Sequence, residues 1–162
     1  MRRVLTTVLI ALVLAPGLAA AHCEVPCGIY GDAMRIEMLR EHVTTIEKAM
    51  DQITVLSAEG DKNYNQIVRW VTNKESHAEE FQYIVSQYFL HQRIKPAGTG
   101  DADYVKKLTL LHEMLVSAMK SKQTTDTAHT AKLRELISDF SEAYFSAEDL
   151  EHLRDHRLNE SE

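Results

Sequence analysis

The sequence predicts an all-α fold, an antiparallel up-down four-helix bundle, and three observations carry the prediction. Apolar residues recur at steps of three or four along most of the chain. No segment shows the period-two alternation of a half-buried strand, and the turn-forming residues gather at a few places, Pro96 being the only proline after Pro26. Four amphipathic helices joined by short polar turns bury their stripes most simply by packing against one another in a bundle.

The first helix spans about residues 33–57, where Ile36, Leu39, Val43, Ile46, Met50, Ile53 and Leu56 mark one face. Asp32 offers an N-cap, and Glu59-Gly60-Asp61 ends the pattern. A second helix, about 62–93, places Tyr64, Ile67, Val71, Ala78, Phe81, Val85, Tyr88 and Phe89 on its stripe; Lys95-Pro96-Ala97-Gly98-Thr99-Gly100 is the clearest loop. A third, about 101–120, carries Tyr104, Leu108, Leu111, Leu115 and Met119, and a fourth begins near Thr127 with Ala131, Leu136, Phe140 and Tyr144. The bundle is thus expected over about 33–146. Ser146 is placed to cap a short extra helix in a charged tail, 147–162.

Ahead of the helices, Arg2 and Arg3, an apolar run from Val4 to Leu14 and the small residues Ala19-Ala20-Ala21 have the three-part order of a cleavable secretory signal. A spanning helix needs about 20 apolar residues, and Pro16 and Gly17 interrupt this run before that length. Residues 1–21 are therefore expected to be removed, leaving 22–162 as one domain with no membrane span, in the periplasm or secreted. A dedicated protease acting on the leader would instead leave the protein cytoplasmic. The formal charge of the whole chain is −6, and loss of two arginines makes the processed chain more negative still. That balance excludes nucleic acid as a favoured partner and gives no overall attraction for an anionic substrate.

Cleavage after Ala21 exposes the segment His22-Cys23-Glu24-Val25-Pro26-Cys27-Gly28-Ile29-Tyr30. A free α-amine, an imidazole, a backbone amide and two thiols then lie within a few residues, forming a hook for a metal, residues 22–30. Amine, Cys23 amide nitrogen and Cys23 sulfur close fused chelate rings, and a deprotonated amide suits the tetragonal sites of nickel(II) or copper(II) better than tetrahedral zinc. Pro26 turns the chain so that Cys27 supplies a second thiolate, with the His22 imidazole left for an axial position. Copper in a thiolate set tends to oxidise the sulfurs, which ranks nickel first. Spacing alone leaves the cysteines open to a local disulfide or a thiol redox pair as well.

The same run resembles the signature of nickel-containing superoxide dismutases, His-Cys-x-x-Pro-Cys-Gly-x-Tyr at a processed N-terminus, with every fixed position filled. The resemblance continues into Arg35-Ile36-Glu37 and the helical pattern. It implies a four-helix protomer in a homohexamer, with one nickel ion per protomer and conversion of superoxide into dioxygen and hydrogen peroxide. His22, Cys23 and Cys27 would be the metal ligands. Tyr30 would stand over the open face and Glu37 would hold the His22 ring, both counted as catalytic; Arg35 is a weaker candidate. Two departures stand out. The segment from Tyr30 to Glu37 is one residue shorter than the family pattern, and His77 falls where some members carry an arginine supporting the glutamate.

Two other readings remain open at this level: a periplasmic nickel or copper carrier using the same hook, and a helical domain with a Cys23–Cys27 redox disulfide. His152 and His156 with Glu148 read as a solvated face, and His112-Glu113 lacks the second histidine of a zinc-protease motif. Met34, Met38, Met50, Met114 and Met119 follow the stripes and read as core filling, as does Trp70.

Overall fold

The computed structural model describes residues 31–151, and among these there are helices and turns and no strand. Helix α1 runs Asp32–Ala58, a short 3₁₀ turn Gly60–Asn63 follows, and α2 runs Tyr64–Tyr83. The chain continues without a break into a π-helical stretch, Ile84–Arg93, before the loop that contains Pro96. Helix α3 spans Ala102–Gln123 and α4 spans Ala128–Tyr144. A further helix begins at 147 and is described as far as 151.

The ends follow local chemistry. Asp101 caps α3 by accepting the Tyr104 amide at 3.0 Å, and Lys120 and Lys122 lie in its last turn, where the exposed carbonyls favour positive charge. Gly60 takes φ of +75°, the left-handed conformation that lets the chain leave α1 without a Cβ clash. Ser146 and Asp149 bond reciprocally, so the expected cap of the last helix is present. Asp32 behaves differently from its expected role as N-cap. It is the first residue of α1, behind Gly31, and its carboxylate is turned to long-range partners instead of its own helix.

Helix α1 packs most extensively on α2, α3 on α4, and the two pairs meet through α1 against α4 and α2 against α3. The main core joins Leu39 and Val43 of α1, Phe81 and Phe89 of the second helical run, Leu111 and Met114 of α3, and Leu136 and Phe140 of α4. Phe89 contacts Phe140 and Tyr144 edge-on with centroids 5.1 and 5.6 Å apart, and Phe140 stacks on Tyr144 at 5.3 Å. Such pairs each contribute about 0.5–1.5 kcal/mol beyond area burial.

The π-helical stretch ends in one backbone bond and one side-chain bond of five-residue reach. The Ile94 amide reaches back five residues to the Phe89 carbonyl at 3.0 Å, and Gln92 Nε2 bonds the Gln87 carbonyl, also five residues back. This wider winding keeps Val85, Tyr88, Phe89 and Gln92 all on the buried side.

The second stripe is buried only in its later part. Tyr64 is 66% exposed and Val71 39%, whereas Ala78 and Phe81 are fully buried. The dividing line is Lys74, whose Nζ donates to the Lys122 and Thr124 carbonyls at 2.7 and 3.0 Å. The turn between α3 and α4 therefore ends at the level of Lys74, and nothing from α3 or α4 covers the first turns of α2. Trp70 is accordingly half-buried, not core, and lines an open groove of about 480 Å³ with Thr45, Lys48, Gln66, Arg69 and Asn73. Of the methionines, Met50 and Met114 fill the core and Met38 packs against it, but Met34 and Met119 are exposed. No helix among the described residues is long and apolar enough to cross a membrane.

Candidate metal centre

The expected ligands His22, Cys23 and Cys27, and Tyr30 with them, lie outside the described residues. What is described begins at Gly31 and includes the head of α1, where the chain that carries those residues enters the helical body.

That entry point is a polar knot. Asp32 Oδ1 accepts from the Tyr88 hydroxyl at 2.6 Å and from Arg93 Nε at 2.9 Å. Asp32 Oδ2 accepts from Arg93 Nη2 at 2.6 Å and from the Tyr144 hydroxyl at 2.7 Å. Arg93 Nε also lies 3.1 Å from the Tyr144 oxygen. One carboxylate thus ties α1 to the π-helical stretch and to the end of α4. Burial works to raise the Asp32 carboxyl, but the bonds from Arg93, Tyr88 and Tyr144 outweigh it and hold it below the usual carboxylate value. Burial and the adjacent carboxylate push Tyr88 up to about 12 and raise Tyr144 as well, so both phenols keep their protons at neutral pH. Arg93 is raised by its bonds to Asp32.

Arg35 sits three residues further along α1 with its guanidinium carbon 5.1 Å from the Tyr88 ring centroid, a cation–π arrangement. Among the described residues its Nη1 meets the Met38 sulfur, at 3.5 Å, and its Nε is buried without a hydrogen-bond partner.

Glu37, the expected support for the His22 ring, is half-buried on α1, with Arg40 Nε 3.5 Å from its Oε1. The arginine beside this glutamate therefore comes from one turn further along the same helix. The spacing Glu37-x-x-Arg40 is a readable i,i+3 pair, and sequence reasoning passed over it.

His77, expected where an arginine would reach toward Glu37, is instead paired with His42. Their Nδ1 atoms are 2.9 Å apart and the rings meet edge-on with centroids 5.1 Å apart. One ring donates and the other accepts, so at least one Nδ1 is unprotonated. Burial lowers the His42 pKa, His77 lowers it further, and Glu80 and Glu41 oppose the shift. His42 was not anticipated, and its partner lies 35 positions away in the chain, so no local pattern pointed to it.

Elsewhere His112 and Glu113 are both exposed, as a surface pair should be. Glu148 is exposed too, while His152 and His156 lie outside the described residues. No group of three or more potential metal ligands occurs among the described residues.

Comparison with protein-family models matches residues 18–148 to nickel-containing superoxide dismutase. The span takes in His22 to Tyr30 and all four long helices. No curated protein and no solved structure matches the chain.

Proposed function

The chain belongs to the nickel-containing superoxide dismutase family, a family of nickel-dependent oxidoreductases, and on that premise we propose how its own residues serve the dismutation of superoxide. The observation that carries this reading is the run His22-Cys23-Glu24-Val25-Pro26-Cys27-Gly28-Ile29-Tyr30, inside the matched span and directly behind a leader with secretory-signal order. Removal of residues 1–21 by a signal-processing protease, in the periplasm or during secretion, frees the His22 amine.

The donor set suits nickel. An amine, a deprotonated amide and two thiolates are strong donors matched to a tetragonal site, and an imidazole beside them can stabilise the oxidised ion. His22 would hold one nickel per protomer through amine and imidazole, Cys23 through amide and thiolate, and Cys27 through thiolate. Nickel bound there supplies a one-electron Ni(II)/Ni(III) couple that reaches both the oxidation and the reduction of superoxide.

The remaining work is the chain's. Two superoxide ions take up two protons to give one dioxygen and one hydrogen peroxide, so the site needs a proton source and controlled access. Tyr30, whose hydroxyl can donate, limits access and holds a proton for delivery. Glu37 orients the His22 ring, and Arg40 Nε lies 3.5 Å from its carboxylate, on the same face of α1. The pairwise contacts of the helices within residues 31–151 support an antiparallel up-down four-helix bundle, and residues 22–162, hook included, are taken as one domain on the strength of the sequence. A homohexamer is the assembly expected from the family.

The test is the Cys27→Ser variant of the processed protein. Nickel-dependent superoxide turnover should fall to background, and undiminished turnover would overturn the assignment. Wild-type protein that binds nickel without turnover would indicate a carrier. Absence of free thiols after metal removal would indicate a Cys23–Cys27 disulfide.

A further inference from the structure

We propose that Arg35 is an electrostatic guide for small anions, drawing superoxide to the head of α1; this rests on the dismutase reading above. The need for such a guide follows from charge. The substrate is an anion and the whole chain carries a formal −6. A uniformly acidic surface slows an anionic substrate, so efficient capture requires a local positive potential.

Arg35 meets that need because its charge is not cancelled. Among the described residues no carboxylate lies within ion-pairing distance of it, and the neighbouring acids are engaged elsewhere. Asp32 is held by Arg93, Tyr88 and Tyr144, and Glu37 faces Arg40. Asp32 and Arg93 neutralise one another, which leaves Arg35 as a net positive charge in this part of α1.

Its mounting is also unusual for a solvated arginine. Among the described residues the Nε is buried and unbonded, the polar contact is a thioether, and the guanidinium lies against the Tyr88 ring. A buried, unsatisfied donor carries a desolvation cost, and a larger one when it is charged. Tyr88 is itself fixed by Asp32, so the stack keeps the cation in one place while leaving Nη2 without a protein acceptor. The residue type matters as well. A guanidinium is weakly hydrated and presents a planar fork, so it gives up water for a small oxyanion more readily than an ammonium does.

Arg35 is five residues from Tyr30 in the chain. Five residues span at most about 18 Å in any conformation. The Debye length is about 10 Å at 0.1 M salt, so the guide should act strongly in dilute buffer and fade as salt is added.

Two measurements on the nickel-loaded protein test this. In the first, kcat/KM for superoxide is followed against ionic strength in wild type, Arg35→Gln and Arg35→Lys. Arg35→Gln should lose roughly 3- to 10-fold at low salt, converge with wild type at high salt, and leave kcat largely unchanged. Arg35→Lys, which restores the charge, should recover most of the salt dependence. In the second, isotopically labelled wild-type protein is titrated with nitrate, a weak ligand for metals, and the Arg35 Nε–H signal is followed by NMR. It should shift saturably, and less at high salt.

A wild-type salt slope in Arg35→Gln, or an Arg35 signal that nitrate leaves unmoved, overturns the proposal. The nitrate titration uses wild type, so it decides the matter even where Arg35→Gln fails to fold. It also separates the two readings: a protein without turnover whose Arg35 still binds nitrate has lost the dismutase assignment and kept the anion site.

Discussion

Two imidazoles whose Nδ1 atoms lie 2.9 Å apart cannot both carry a proton on those facing nitrogens, and His42 and His77 are held in that geometry between α1 and α2. Burial and the neighbouring ring lower the folded-state pKa of His42, so folding favours its neutral form. The sign of the pH effect follows. The unfolded chain binds the proton more readily, so the stability contributed by neutral His42 is present above the ordinary imidazole value near 6.5 and is lost as pH falls below it. Glu41 and Glu80 moderate the loss, because both favour the charged ring. Unfolding free energy from urea titration should therefore decline between about pH 6.5 and 5, and His42→Gln should flatten that decline. An equally steep decline in His42→Gln would place its origin in another group. His77 was legible as a titrating residue at a notable position, but its partner was not, because residues 42 and 77 meet only when two helices pack.

At the scale of elements, Asp32 does more than begin a helix. It joins α1, the π-helical stretch and α4 through Tyr88, Arg93 and Tyr144. Asp32→Asn keeps the shape but removes the charge, so the part-buried ion pair between Asp32 and Arg93 is lost. A loss of about 2–4 kcal/mol in unfolding free energy is expected near neutral pH. Because the folded-state pKa of Asp32 is depressed, its contribution is present above the unfolded value near 3.9 and disappears as pH falls below it. The variant should accordingly show a shallower acid limb, and a stability equal to wild type at pH 7 would show the knot to be marginal. Helix existence and most boundaries were readable from apolar spacing, including the Ser146 cap. The winding of Ile84–Arg93 was not, since a π-helical register depends on which side chains the core admits.

For the whole molecule, the proposed metal site makes function depend on the covalent state of the N-terminus. A chain that retains Met1 to Ala21 has the His22 amine locked in a peptide bond, which is a poorer donor, and should show turnover near background even with nickel supplied. Comparing the uncleaved and processed forms in a superoxide assay checks this, with intact mass confirming each N-terminus; equal turnover would mean that the amine is not a ligand. The helical body, by contrast, reveals its asymmetry only in three dimensions. The hairpin of α1 and α2 extends beyond the α3–α4 turn at Lys74, so Tyr64 and Val71 remain exposed although their spacing matches that of buried positions. Trp70, Met34 and Met119 were read as core for the same reason, and helical period alone cannot tell a covered stripe from an uncovered one.

What the sequence by itself determined is the all-helical class of the fold, and the run from His22 to Tyr30 is what it offers as a metal hook. Period and turn residues act locally, and the hook's candidate donors, His22, Cys23 and Cys27, are close together in the chain, so neither needs a distant partner to be recognised. The tertiary structure decided which charges are cancelled and which are not. Asp32 meets Arg93 across 61 positions, Lys74 meets Thr124 across 50, and Arg35 is left with a tyrosine face and a sulfur. Those pairings are fixed by the lengths and packing of helices far apart in the chain, and electrostatic roles follow from distance in space.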